Sequence, residues 1–474
     1  MSFFSHCKFR QASEVPMTTS ATSLTASRKP SARSIKYLKQ MSIQELIDII
    51  DKEKQKRDIM HELTPANVAL FNKMAGDTFE AVMTGKGEEK CLVPQVGTLH
   101  FLYRGQNSEF IPCVPSLYRG NPSDEDIFVE RMRLVVFRRL LHSHPVVNQF
   151  FKRHHFKVDE EGLAQHYGLK TEVLDLTSSL DVALFFATCW YDATSDCYQY
   201  YDDGKEHEAI LYVFIPILDN EPTPSLNEEN YMNHNIRPIG LQVFPRPGAQ
   251  EGYGLHIIKG ESVKCYMYRF SFTCDDSKCY YEKFKSGEAI WMRDKFIAKA
   301  AKIASQNVFS FNVFNETFRE FRPKGFSSTK LKKSLAGKVG LRTEVADVVF
   351  DDYEKAEIVD DWNNVTGRKF AEVIFRKRWF EHEDVQDDGE GNEIITGIRN
   401  EHEYRTLAGI SMMQMLNLLG CPDSLDGAEW KNYTGKPRPK EKPRKDNGEW
   451  KKVPAHMEDV FGKPYLIEED WKIS

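Results

Sequence analysis

The stretch Leu163 to Ala187 reads LAQHYGLKTEVLDLTSSLDVALFFA. It crowds an amide (Gln165), an imidazole (His166), a carboxylate (Asp175) and three hydroxyls (Thr177, Ser178, Ser179) ahead of an apolar run. An imidazole near a carboxylate is the material of general acid–base chemistry, because histidine changes charge close to neutral pH. Three readings of these residues stay open. Gln165, His166 and Asp175 form the acid–base site of a hydrolase or nuclease, although no recognisable nucleophile or metal cluster accompanies them. Alternatively His166 and Asp175 are a buried hydrogen-bonded pair that fixes the turn at Gly168. The hydroxyls, finally, form an ordinary N-cap for a helix beginning near Leu180.

Two further stretches stand at informative distances from the first: FLYRGQ (Phe101 to Gln106) and FPRPGAQEG (Phe244 to Gly252). Together with PSLYRG at Pro115 to Gly120, these residues resemble the FRG domain family over about 96–272. The chain departs from that family's pattern twice. Where such domains commonly read T-R-L-L-D, this sequence has Thr171, Glu172, Val173, Leu174 and Asp175, and the common Q-Q-G appears as Gln250, Glu251 and Gly252. The layout also looks like ADP-ribosyltransferases of the R-S-E type, which split the nicotinamide–ribose bond of NAD. That resemblance implies a role for each residue. Arg104, beside Tyr103, supplies a planar charged fork for a pyrophosphate or ribose-phosphate edge. Gly105 lets the backbone approach the nicotinamide amide. A hydroxyl from Thr177, Ser178 or Ser179 holds the reactive carboxylate or the ribose, with Gln165 nearby. Glu251 stabilises the oxocarbenium character of the transition state. If Gln250 takes that place instead, the site loses its charge and binds NAD or a relative without turnover.

The elements that must position these residues follow from patterning. With 474 residues, two or three domains are expected. Hydrophobic residues at 41% and charged residues at 28% describe a globular chain, and no apolar run is long enough to span a bilayer. A net charge of −6 gives no global reason for nucleic acid as the main ligand, although local patches leave it open. Nine scattered cysteines without a C-x-x-C pair argue for a reducing, cytoplasmic setting and no structural metal. Residues 1–40, basic and rich in Ser and Thr, read as a disordered tail; the composition resembles a transit segment, or precedes a later start at Met17 or Met41. A helical lead-in (41–95) follows, with Ser42 and Glu45 as a capping box and a second helix from Thr64 to near Gly85. Strands are expected at Leu99–Gly105 and Ala209–Ile217, and a helix after Ser123. Gly254 to Phe272 reads as a strand pair turning at Gly260 and Glu261. A helical segment with Ile290, Trp291, Phe296, Ile297 and Ile303 inward spans 273–325, and a mixed region spans 326–434. In that region DDGEGNEI (Asp387 to Ile394) marks a hairpin turn. An extended Lys/Pro-rich tail covers 435–474.

The sequence thus predicts an α+β protein with a mixed, largely antiparallel sheet of the split ADP-ribosyltransferase-like kind. The resemblance implies NAD as substrate, a nucleotide-like small molecule as ligand and a macromolecule of unknown identity as acceptor. A non-catalytic module that binds a nucleotide or a partner is the alternative.

Overall fold

A short strand at Met41–Ser42 (β1) runs straight into the helix Ile43–Met60 (α1). The expected capping box closes it: Ser42 N–H donates to Glu45 Oε2 at 2.8 Å, and Glu45 N–H donates to Ser42 Oγ at 3.3 Å. This computed structural model describes residues 41–60, 79–83, 90–94, 100–110, 113–153, 156, 158–216, 232–233, 236–261, 263, 265–367, 370, 379–387, 393–402 and 466–467. The tails expected at 1–40 and 435–474 fall outside them, apart from 466–467. The second lead-in helix is corrected where it can be checked. Phe79–Met83 (β2) and Lys90–Pro94 (β3) pair as antiparallel strands.

The strands that follow, up to residue 272, are Leu102–Gln106 (β4), Val173–Thr177 (β5), Trp190–Asp192 (β6), Cys197–Gln199 (β7), His207–Pro216 (β8), Met232–Asn233 (β9), Ile236–Pro238 (β10), Gly252–His256 (β11) and Tyr266–Phe272 (β12). Six of these and β1 form one sheet in the order β1-β12-β8-β4-β5-β11-β10, with β9 beside β8 and β6 paired to β7 apart from it. Only β1–β12 and β8–β9 run parallel within this sheet, so the class is α+β with a mixed, mostly antiparallel sheet. Central placement explains why Ala209 to Ile215 are buried at every position rather than alternately.

The expected pairing of β11 with β12 does not form; three strands lie between them. β12 instead matches β8 from Tyr266↔Val213 to Phe272↔His207, which places Tyr268, Phe270 and Phe272 against α1 in one apolar cluster. Loop-closure entropy rises slowly with loop length, so this larger burial outweighs a local hairpin.

Helices alternate with these strands and follow them. They are Asp124–His142 (α2), Glu160–His166 (α3), Leu180–Thr188 (α4), Pro245–Ala249 (α5), Cys274–Lys283 (α6) and Phe296–Ala304 (α7), followed by Phe311–Glu320, Ser328–Leu335 and Asp352–Asp361. Ser123 and Asp126 cap α2 reciprocally; of the inward face that the periodicity predicts, Phe128, Met132, Val135 and Val136 are buried, whereas Ile127 is half-buried. The helix expected to carry Ile290 and Trp291 is corrected to a turn. Lys285, Ser286 and Gly287 all have positive φ, which ends α6, and a helix resumes where Asp294 accepts from the Phe296 and Ile297 N–H groups. The hairpin expected around DDGEGNEI forms, with Trp379–Asp387 antiparallel to Glu393–His402. Among the described residues no helix is long and apolar enough to cross a membrane.

Helix α4 lies hard against β4. A Cβ on Gly105 would stand 1.7 Å from the Ala183 carbonyl oxygen and 3.0 Å from Ala187 Cβ. The close approach expected of Gly105 is therefore filled by a helix backbone, not left for a ligand ring. Gly105→Ala is expected to destabilise the fold by roughly 2–3 kcal/mol or more, since main chain and not a flexible side chain must move. A urea titration at pH 7 measures it, and a midpoint equal to wild type would refute the packing described.

Candidate functional site

β4 pairs with β8 over five residues but meets β5 through a single bridge, Tyr103↔Thr177. Beyond that bridge the sheet opens into a fork. Arg104 reaches across it: Nη1 donates to the Asp175 carbonyl oxygen at 2.9 Å. With the Gln106 amide turned so that its oxygen faces the guanidinium, Gln106 accepts from Arg104 Nε and Nη2 at 3.2 Å each. Three of the five guanidinium N–H groups are used this way, and two remain.

The fork holds a cavity of about 360 Å³. Consecutive residues Tyr103 to Gln106 line it, which a cavity on one face of a sheet could not achieve, because successive strand residues point to opposite faces. Arg104, Gly105, Gln165, His166, Asp175, Thr177 and Gln250 all contribute to its wall, so most of the residues expected from sequence converge there. Ser178, Ser179 and Glu251 do not.

The carboxylate facing the cavity is that of Asp175. Gln165 orients it, donating from Nε2 to Asp175 Oδ2 at 3.4 Å. The Gln165 amide is itself fixed, because its oxygen accepts from Ser116 Oγ at 2.9 Å and Thr171 Oγ1 at 3.0 Å. His166 Nε2 lies 3.8 Å from Asp175 Oδ1, too far for the hydrogen-bonded pair considered from sequence. The Gly168 turn is held by main chain instead, with Gly168 N–H donating to Gln165 O and Leu169 N–H to Ala164 O. Burial pushes the His166 pKa below its ordinary value against the pull of Asp175, which keeps the ring neutral at pH 7.

The hydroxyl turn divides its labour. Thr177 Oγ1 donates to the Gln250 carbonyl at 2.7 Å and accepts from Ser179 N–H at 3.0 Å. Ser179 caps α4 through Val182 N–H. Ser178 Oγ donates to Glu251 Oε2 at 2.6 Å. Yet this pair stands off the cavity wall. Glu251 adopts a positive φ of 46°, which turns its side chain out of the register in which Gln250 faces inward, and Gln250 Nε2 is anchored on the Ile290 carbonyl at 2.9 Å.

Several wall residues were missed from sequence. Arg119 belongs to the second Tyr-Arg-Gly stretch, which was the available signal. Burial and the like charge of Arg104 lower its pKa, so two guanidinium groups face one space. An aromatic wall comes from Phe186 on α4, Tyr191 and Tyr198 on the β6–β7 hairpin, and Trp291 in the turn before α7. Ring centroids are 5.3 Å apart for Tyr198–Trp291, 5.6 Å for Tyr191–Trp291 and 5.3 Å for Phe186–Tyr198. Arg246, from the FPRPG stretch, stacks on Trp291 with its guanidinium carbon 3.9 Å from the ring centroid, and donates to the Met292 and His166 carbonyls.

Glu172, standing where the family commonly has arginine, has acquired partners. It accepts from Tyr118 Oη at 3.0 Å and from Arg131 Nη2, while Arg131 Nη1 donates to Glu161 at 2.9 Å. Glu161, Glu172 and His256 bring ligand-type atoms within 4.8 Å of one another, but the Arg131 guanidinium already engages both carboxylates. Arg131→Met strands these carboxylates and is expected to destabilise the protein by about 3 kcal/mol, with Glu172→Gln in the same chain recovering part of the loss. Equilibrium denaturation of the single and double variants reads both effects, and an unaltered single variant would contradict the pairing.

The FRG domain family model matches residues 99–196, about a fifth of the chain. No curated protein and no solved structure matches it. The matched span carries both Tyr-Arg-Gly segments, Gln165, His166, Asp175 and Thr177, and stops short of Tyr198, Gln250 and Trp291, so the cavity is completed by residues outside it. On that match, and on the convergence of its motif residues in the β4–β5 fork, the chain is an FRG domain-containing protein.

Proposed function

We propose that the FRG cavity binds a nucleotide-like small molecule, with NAD the leading candidate. One observation carries this reading: two arginines and six aromatic side chains share a single cavity. Guanidinium groups suit phosphate oxygens, and ring faces suit a planar base. A volume near 360 Å³ fits a mononucleotide, or the nicotinamide–ribose half of a dinucleotide whose remainder extends through the mouth. Recognition without turnover is favoured by the neutral Gln250 at the wall, where the R-S-E resemblance implies an acid.

A second reading, cleavage of NAD with transfer of ADP-ribose to a macromolecule, is supported by the Ser178–Glu251 contact and by the Asp175 carboxylate in the cavity. Here Asp175 would face the developing positive charge at the ribose carbon. The products are nicotinamide and an ADP-ribosylated acceptor.

Calorimetry with NAD, nicotinamide mononucleotide and AMP tests the proposal. Binding is expected to weaken tenfold or more in Arg119→Ala and in Trp291→Ala, the loss that about 1.4 kcal/mol produces. Incubation with NAD followed by mass spectrometry separates the readings, since nicotinamide release that Asp175→Asn or Glu251→Gln abolishes establishes cleavage. Absence of binding by all three nucleotides refutes the proposal.

A further inference from the structure

Buried polar atoms without a hydrogen-bond partner are rare, and each calls for an explanation. Two of those in the described residues line the cavity: His166 Nε2 and Asp175 Oδ1. The His166 side chain is 3% exposed, so only the cavity gives access to it. We infer that these two atoms form a sugar-hydroxyl subsite, which selects a ribose over a deoxyribose in the bound nucleotide. The inference rests on the nucleotide reading above and names the part of the ligand that this end of the cavity recognises.

The geometry fits a hydroxyl better than any other common group. At 3.8 Å the two atoms are too far apart to bond each other, yet close enough to share one hydroxyl oxygen or a vicinal pair of them. A hydroxyl can donate and accept, which is what a carboxylate and a neutral imidazole together require. Asp175 only accepts, and neutral His166 matches either hydroxyl role through its choice of tautomer. A phosphate would meet the Asp175 charge and is repelled from this end, whereas Arg104 and Arg119 attract it.

The surroundings hold both groups in place. Gln165 fixes Asp175 from its other oxygen, while Ser116 and Thr171 fix Gln165. Asp175 and Asp159 raise the His166 pKa, as does Gln250, while Arg246 and, most strongly, burial lower it; the net direction is down. The Arg246 guanidinium also clamps the His166 carbonyl at 3.3 Å. Gly252 completes the arrangement, because a Cβ there would lie 3.2 Å from His166 Nε2 and crowd the ring.

The test is calorimetry of the full chain with AMP, GMP, CMP and UMP, each against its 2′-deoxy counterpart, together with NAD and inorganic pyrophosphate. At least one ribonucleotide is expected to bind tenfold or more tightly than its deoxy form, as loss of a hydrogen bond to a charged group implies. That preference should vanish in Asp175→Asn and fall in His166→Gln. Pyrophosphate, which reads the guanidinium pair, should bind Asp175→Asn more tightly because one negative charge has gone. Equal binding of ribo and deoxy forms overturns the subsite while leaving the nucleotide reading intact. Loss of pyrophosphate binding in Asp175→Asn marks Asp175 as structural and overturns it too. Failure of every nucleotide to bind removes both.

Discussion

One guanidinium holds the site together. Where β4 and β5 part after a single bridge, main-chain groups that a continuous sheet would pair are left facing each other, and an unpaired buried carbonyl is costly. Arg104 answers the Asp175 carbonyl from its own side chain and is steadied by Gln106. The arginine is thus structural and cavity-facing at once. A five-donor fork has enough N–H groups to serve both roles.

The rest of the site follows from keeping that fork open. Gly105 lets α4 press against the face of β4, so the hydroxyl turn ahead of α4 stays beside the opening. Tyr118, Glu172 and Arg131 tie the second Tyr-Arg-Gly segment to β5 and α2, which brings Arg119 to the same space as Arg104. Glu172 is paired with a cation from helix α2, Arg131. Trp291, backed by Arg246, closes the aromatic side from a turn that the positive φ angles at 285–287 create.

How much of this was legible in the sequence depended on range. Caps and helix faces near Ser42 and Ser123 were readable, because the deciding partners lie three or four residues away. β4 and β8 were readable from apolar composition. The partner of β12 was not, since sheet pairing is settled by burial between distant segments, and a local turn signal at Gly260 pointed to the wrong neighbour. Within the site, motif residues such as Arg104, Gln165 and Asp175 were visible as types at a spacing. Which of Gln250 and Glu251 faces inward was not, because a single positive φ decides it. The aromatic wall was hidden for another reason: Tyr191, Tyr198 and Trp291 belong to turns and a small hairpin whose docking onto the fork leaves no periodic trace.

A crystal structure of the protein grown with NAD tests the account most directly. Phosphate or ribose-phosphate oxygens within hydrogen-bonding distance of Arg104 and Arg119, with a planar ring against Trp291 or Tyr198, is the result expected. A fork zipped shut by further β4–β5 ladder bonds, or a nucleotide bound only elsewhere on the molecule, would contradict it.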